Sequence, residues 1–84
     1  MATLHVRLYG VPACRRYQRL RERLLEAALT TVAQLVVEEI NDVSSLARFN
    51  PLTLPRLEVN GRVVASRNAP TVAALRRIFE THND

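Results

Sequence analysis

Chemistry in this sequence starts from sulfur, and there is one sulfhydryl: Cys14, in the run Tyr9-Gly10-Val11-Pro12-Ala13-Cys14-Arg15-Arg16. A lone cysteine excludes an intramolecular disulfide framework and a cysteine-based zinc cage. Opening a disulfide and resolving the mixed intermediate within one molecule takes two thiols; one suffices only for a mixed disulfide with a partner. Two readings of Cys14 stand side by side. It is a thiolate favoured by Arg15 and Arg16 at the positive end of a helix, or a small buried apolar residue, as free cysteine commonly is. The arginine pair also has two readings. It is an anion site for a carboxylate or an acidic surface, or two solvated cations that oppose the helix dipole by roughly a few tenths of a kcal/mol each. His5 sits on a strand face and His82 in a fraying C-terminus, so no shared metal site is expected.

These residues need elements to position them. Residues 3–9 alternate Leu4, Val6 and Leu8 against His5, Arg7 and Tyr9, the period of a half-buried strand. Gly10-Val11-Pro12 breaks it, and Pro12 suits a first helical position. That start puts Val11 at the N-cap and Cys14 two residues inside, partly shielded behind Val11 and Pro12. Tyr17, Leu20, Leu24 and Ala28 recur at helical spacing to about Leu29, with Arg19–Glu22 and Arg23–Glu26 spaced to pair. A second strand over 34–39, centred on Leu35-Val36-Val37, offers apolar side chains to both faces, as a strand parallel to the first inside a covered sheet would. Asn41-Asp42 and Ser44 can cap a short helix over 43–49. Arg56-Leu57-Glu58-Val59 and Arg62-Val63-Val64-Ala65 flank Asn60-Gly61, a strong hairpin signal. Pro70-Thr71 opens a last helix with Val72, Leu75, Ile78 and Phe79 inward. The order is β-α-β-α-β-β-α, a four-stranded mixed sheet with helices on both faces, and residues 1–84 read as a single domain.

Composition bounds the rest. The 84 residues are 48% apolar and 24% charged, too apolar for disorder, and no apolar run approaches a membrane span. The N-terminus has no signal-peptide core, so a cytoplasmic location is expected. Net charge is +4, and every basic residue is arginine. Arginine suits oxyanion recognition, but G+C-rich coding gives the same bias. Aromatic stacking residues are too few for a nucleic-acid platform.

Residues 9–16, Thr53-Leu54-Pro55, and Leu57 to Ser66 followed by Pro70-Thr71 together resemble small thioredoxin/glutaredoxin-like proteins of the redox-active disulfide type, over nearly the full length. Those proteins carry a Cys-X-X-Cys pair where the first strand meets a helix, and a cis-proline before the third strand. The resemblance implies a thioredoxin-like α/β fold, a cis bond before Pro55, and Leu54 offering its backbone to an extended peptide or glutathione. It also marks departures. Val11 stands where the family has its attacking cysteine, and Arg67 where relatives often have glycine.

Three functions follow as expectations. The first is a thioredoxin-like protein with a degenerate Val-Pro-Ala-Cys site, lacking dithiol oxidoreductase activity. It would bind a peptide or protein through Val11, Pro12, Arg15, Arg16, Leu54, Pro55 and Arg67. The second is a single-thiol redox protein using Cys14 with glutathione or a partner thiol. The third is nucleic-acid binding through residues 12–29, which hold five arginines against two glutamates; the scarcity of aromatics speaks against it. No cofactor is required, with glutathione left open as a ligand, and the chain reads as a monomer.

Overall fold

A computed structural model describes residues 3–82. The alternation at the N-terminus forms β1 (Thr3–Tyr9), with Leu4, Val6 and Leu8 buried on one side and His5 and Arg7 exposed on the other. A helix α1 (Arg15–Thr30) leads to β2 (Gln34–Ile40), which pairs parallel to β1 from Thr3↔Gln34 to Tyr9↔Ile40. A single helical turn, α2 (Val43–Leu46), and a 3₁₀ turn at Pro51–Thr53 precede β3 (Arg56–Val59) and β4 (Arg62–Ser66); α3 (Val72–His82) closes the fold. The sheet order is β2-β1-β3-β4, with β3 antiparallel to both its neighbours.

Local chemistry explains the junctions. Asn60 and Gly61 take φ of 51° and 81°, the positive pair that a tight primed turn needs. Asn60 also ties the turn to β1, its amide donating to the His5 carbonyl at 2.8 Å and its Oδ1 accepting from the His5 amide at 2.9 Å. Asp42 caps α2 by accepting from the Ser45 amide at 3.0 Å. Thr71 caps α3, its Oγ1 accepting from the Ala74 amide at 3.1 Å.

The core lies between the Leu4-Val6-Leu8 face and the helices α1 and α3, and includes Tyr17, Leu20, Leu24, Ala27, Leu57, Val59, Leu75 and Phe79. The buried stripe of α1 ends on Ala27, where the spacing points to Ala28. On the opposite face, among the described residues, α2 and Phe49 cover one end of the sheet: Phe49 meets Tyr9 edge-on at 5.1 Å between ring centres, and the Arg56 guanidinium lies 4.5 Å from the Phe49 ring centre. Tyr9, expected on a wet face, is buried beneath that cover.

Four other expectations are corrected. The second strand is not enclosed: it is an edge strand with β1 on one side only, and its Val36, on the far face opposite His5, is 48% exposed while Val37, on the α1 face opposite Val6, is 37% exposed. The second helix ends at Leu46, not 49. The ion pairs expected along α1 do not form among the described residues. Arg23 donates instead to the Ala69 and Pro70 carbonyls, and Arg21 bonds Glu39 on β2. A bulge between Leu57 and Glu58 shifts the β3–β4 register, with no sequence signal of its own. His82 belongs to the last turn of α3, where its Nδ1 lies 2.8 Å from the Ile78 carbonyl.

Candidate functional site

The site is built where β1 runs out. Gly10 keeps the strand pairing, its amide donating to the Ile40 carbonyl at 3.2 Å, and the next four residues fold into a turn closed by the Cys14 amide on the Val11 carbonyl at 2.9 Å. Pro12 takes the second position of that turn, where its fixed φ is pre-set. The turn uses up the residues that the sequence pattern assigns to the start of α1. The N-cap is therefore Cys14, at φ −76° and ψ 129°, in place of Val11, and Pro12 is not a helical residue. The Gln18 amide donates to the Cys14 carbonyl at 3.0 Å, and its side chain reaches back to the Pro12 carbonyl at 2.9 Å. The Cys14 side chain caps no amide, is half-buried and packs on the core, while Val11 is 50% exposed.

A second loop meets this turn. The Leu54–Pro55 peptide bond is cis, and Pro55 is fully buried. The Arg67 amide donates to the Pro55 carbonyl at 2.8 Å and to the Thr53 carbonyl at 3.2 Å, while the Ser66 hydroxyl donates to the Thr53 carbonyl at 2.8 Å. The end of β4 is thus laced to the proline loop. Arg67 does this at φ 70°, a left-handed backbone that glycine adopts most readily. Gly10 is the hinge between the two loops: a Cβ there would stand 2.5 Å from Tyr17 Cδ2 and 3.4 Å from Pro55 Cβ. Only a residue without a side chain lets the strand end pass between them.

Beneath the turn lies a polar network that the sequence pattern does not announce. Asn41 Nδ2 donates to the Gly10 carbonyl at 2.9 Å and to the Tyr17 hydroxyl at 3.0 Å. The Tyr17 hydroxyl donates to Glu39 Oε1 at 2.5 Å, and Arg21 Nε bonds the same oxygen at 3.0 Å. Burial, then the bond to Glu39, raises the Tyr17 pKa above the ordinary phenol value. By spacing alone Tyr17 is a core residue and Asn41 a cap. The available signal is the Asn41-Asp42 pair itself, two capping residues where α2 needs one.

The structure brings Val11, Pro12 and Cys14 into one turn and Leu54, Pro55 and Arg67 into the loop region beside it. Arg15 and Arg16 are exposed in the first turn of α1, which holds no acidic residue, and neither forms an ion pair with the described residues. Val43 and Leu52, 82% and 70% exposed, lie just beyond the strand ends that carry Asn41 and the proline loop. A separate groove of about 490 Å³ opens on the far face among Tyr9, Ile40, Phe49, Arg56 and Glu58, and includes none of the expected site residues. Chemically, the Cys14 end offers apolar and cationic contacts beside one half-buried thiol at a helix N-terminus.

No family model and no curated protein matches the sequence. Solved structures do match: the chain has the thioredoxin fold. A mutant thioredoxin from Halobacterium salinarum NRC-1 superimposes with a TM-score of 0.68 at 16% identity, over 96% of this chain and 75% of that one. The oxidised thioredoxin from Plasmodium falciparum gives a TM-score of 0.60 at 16% identity, over 96% and 82% of the two chains. Among the described residues no helix is long and apolar enough to cross a membrane.

Proposed function

We propose that this chain is a thioredoxin-fold binding protein without dithiol oxidoreductase activity, and that an extended peptide of a partner protein docks across Val11, Pro12, Leu54 and Pro55. The observation that carries the reading is the Val11–Cys14 turn. Its two ends are the positions a reversible disulfide would span, and one of them is an isopropyl group. Exposed Val11 supports apolar docking, and the exposed Arg15 and Arg16, together with Arg67, favour acidic partners. An NMR titration with an extended acidic peptide tests it: shifts confined to residues 10–16, 53–56 and 66–68 are expected, and shifts elsewhere or none contradict it.

A second reading keeps the thiol in use. It is favoured by the position of Cys14 as the N-cap of α1, where the dipole and free amides favour negative charge. The Cys14 thiolate would attack oxidised glutathione, forming the protein–glutathione disulfide and releasing one reduced glutathione as thiolate. Mass spectrometry after exposure to oxidised glutathione decides this reading. Stoichiometric addition at Cys14 in minutes supports it, and an unmodified protein after hours removes it.

A further inference from the structure

Among the described residues β2 has a neighbour on one side only, and the middle of that edge strand is the apolar run Leu35-Val36-Val37. Of the exposed large aliphatics, Leu25 and Leu29 belong to α1, Val36 and Val37 to β2, and Val32 to the connection between them. Their placement follows from one contact. Arg21 bonds Glu39, and α1 runs antiparallel to β2, so one helical turn back along the strand is about 6 Å on both elements, four residues of helix against two of strand. Leu25 therefore lies level with Val37, and Leu29 with Leu35. The opposite flank of α1 carries Arg23, bonded to the carbonyls just ahead of α3, so the Arg21–Leu25–Leu29 row is the flank turned towards β2.

We propose that this edge pairs with the same edge of a second copy, antiparallel about a two-fold axis through Val36, giving a dimer with one eight-stranded sheet. Three features make a second copy the fitting occupant. First, the strand is self-complementary in this register. Leu35 faces Val37 of the second copy, Val36 faces itself, and Gln34 faces Glu38, so no two acids meet. Both acids are also matched inside the protomer, Glu38 to Arg7 at 3.4 Å and Glu39 to Arg21 at 3.0 Å.

Second, the helices fit. Strands lie about 4.8 Å apart, so two helices about 10 Å apart and centred on four strands sit about 5 and 15 Å from the axis. The two α1 helices then lie about 10 Å from one another, which is packing distance, and Leu25 of one copy meets Leu29 of the other. Third, the edge lacks the lysine, proline or bulge that keeps free strands apart. Five aliphatic side chains and a seven-residue strand from each copy come to about 1,000 Å², enough for a specific if modest interface.

This dimer departs from the monomer expected from the sequence, and it does not depend on the docking site at Cys14. Sedimentation equilibrium from about 5 to about 500 µM tests it, together with cross-linking in a Cys14→Ser background. The expected results are a mass rising to about twice 9.5 kDa, and a disulfide-linked dimer from Val36→Cys under mild oxidation, since directly paired antiparallel residues lie within disulfide reach. Gln34→Cys alone should not cross-link, whereas mixed with Glu38→Cys it should. Leu29→Glu, at a position 86% exposed, should return the folded protein to monomer. A monomer throughout the range overturns the proposal. So does a dimer that survives Leu29→Glu, or one that never cross-links at Val36. Binding of an unrelated extended peptide at this edge, with no self-association, likewise overturns it in favour of strand addition by another protein.

Discussion

At the scale of single residues, Gly10 and Tyr17 hold the site more firmly than the residues that would meet a ligand. A methyl group at position 10 has nowhere to go, since the nearest atom is 2.5 Å away on a buried ring that is itself hydrogen-bonded. Gly10→Ala should lower unfolding stability by about 2 kcal/mol or more in urea titration, within the range seen for overpacked cores. Tyr17→Phe removes one donor and one acceptor of the network and should cost about 1 kcal/mol. It should also change the pH profile. Because the folded state holds the Tyr17 proton above the ordinary phenol range, the unfolded chain loses it first, and stability falls as pH rises beyond about 10. Denaturation midpoints measured from about pH 8 to about pH 11 should show this decline in the native protein and a shallower one in Tyr17→Phe.

At the scale of elements, short connections decide what the longer ones present. The turn at Val11–Cys14 makes the cysteine an N-cap, and α2 is a single turn of four residues. Asp42 sets the start of α2. The hydroxyls of Ser45 and Ser44 and the Ser45 amide pull its carboxyl down to about 2 from 3.8. A carboxylate with a depressed folded pKa contributes stability that is complete above its unfolded value and is lost as pH falls through the folded one. Stability should therefore decline between about pH 4 and 2 by an amount that Asp42→Ala abolishes, as thermal melts across that window would show. The turn also carries a constructive prediction. Its ends are three residues apart and hydrogen-bonded, inside the separation a disulfide spans, so Val11→Cys should form a bridge to Cys14 that thiol titration detects as the loss of both free thiols.

At the scale of the whole molecule, the strand and helix order was legible because each element carried its own period and its own stop. Leu4-Val6-Leu8 alternated, the α1 stripe recurred at helical spacing, and Asn60-Gly61 allowed one kind of turn. What escaped depended on neighbours far away in sequence. The pattern of β2 cannot distinguish an enclosed strand from an edge, because Val36 and Val37 look the same under a helix or beside solvent. Tyr9 went under Phe49, about forty residues on, through an aromatic contact that no local pattern announces. In the site, the residues marked by resemblance do gather at one end of the sheet. The Asn41–Tyr17–Glu39 support beneath them was invisible, since each member already had an ordinary local explanation.

The proposed function comes down to Val11: a thioredoxin fold with valine at one end of the Val11–Cys14 turn would keep a binding surface and lack dithiol exchange. Reductase-coupled insulin reduction by the native chain, run beside Val11→Cys, tests it most directly. The native chain should give no turnover above the uncatalysed rate while the variant gains measurable turnover. Native turnover comparable to a dithiol thioredoxin would contradict the claim.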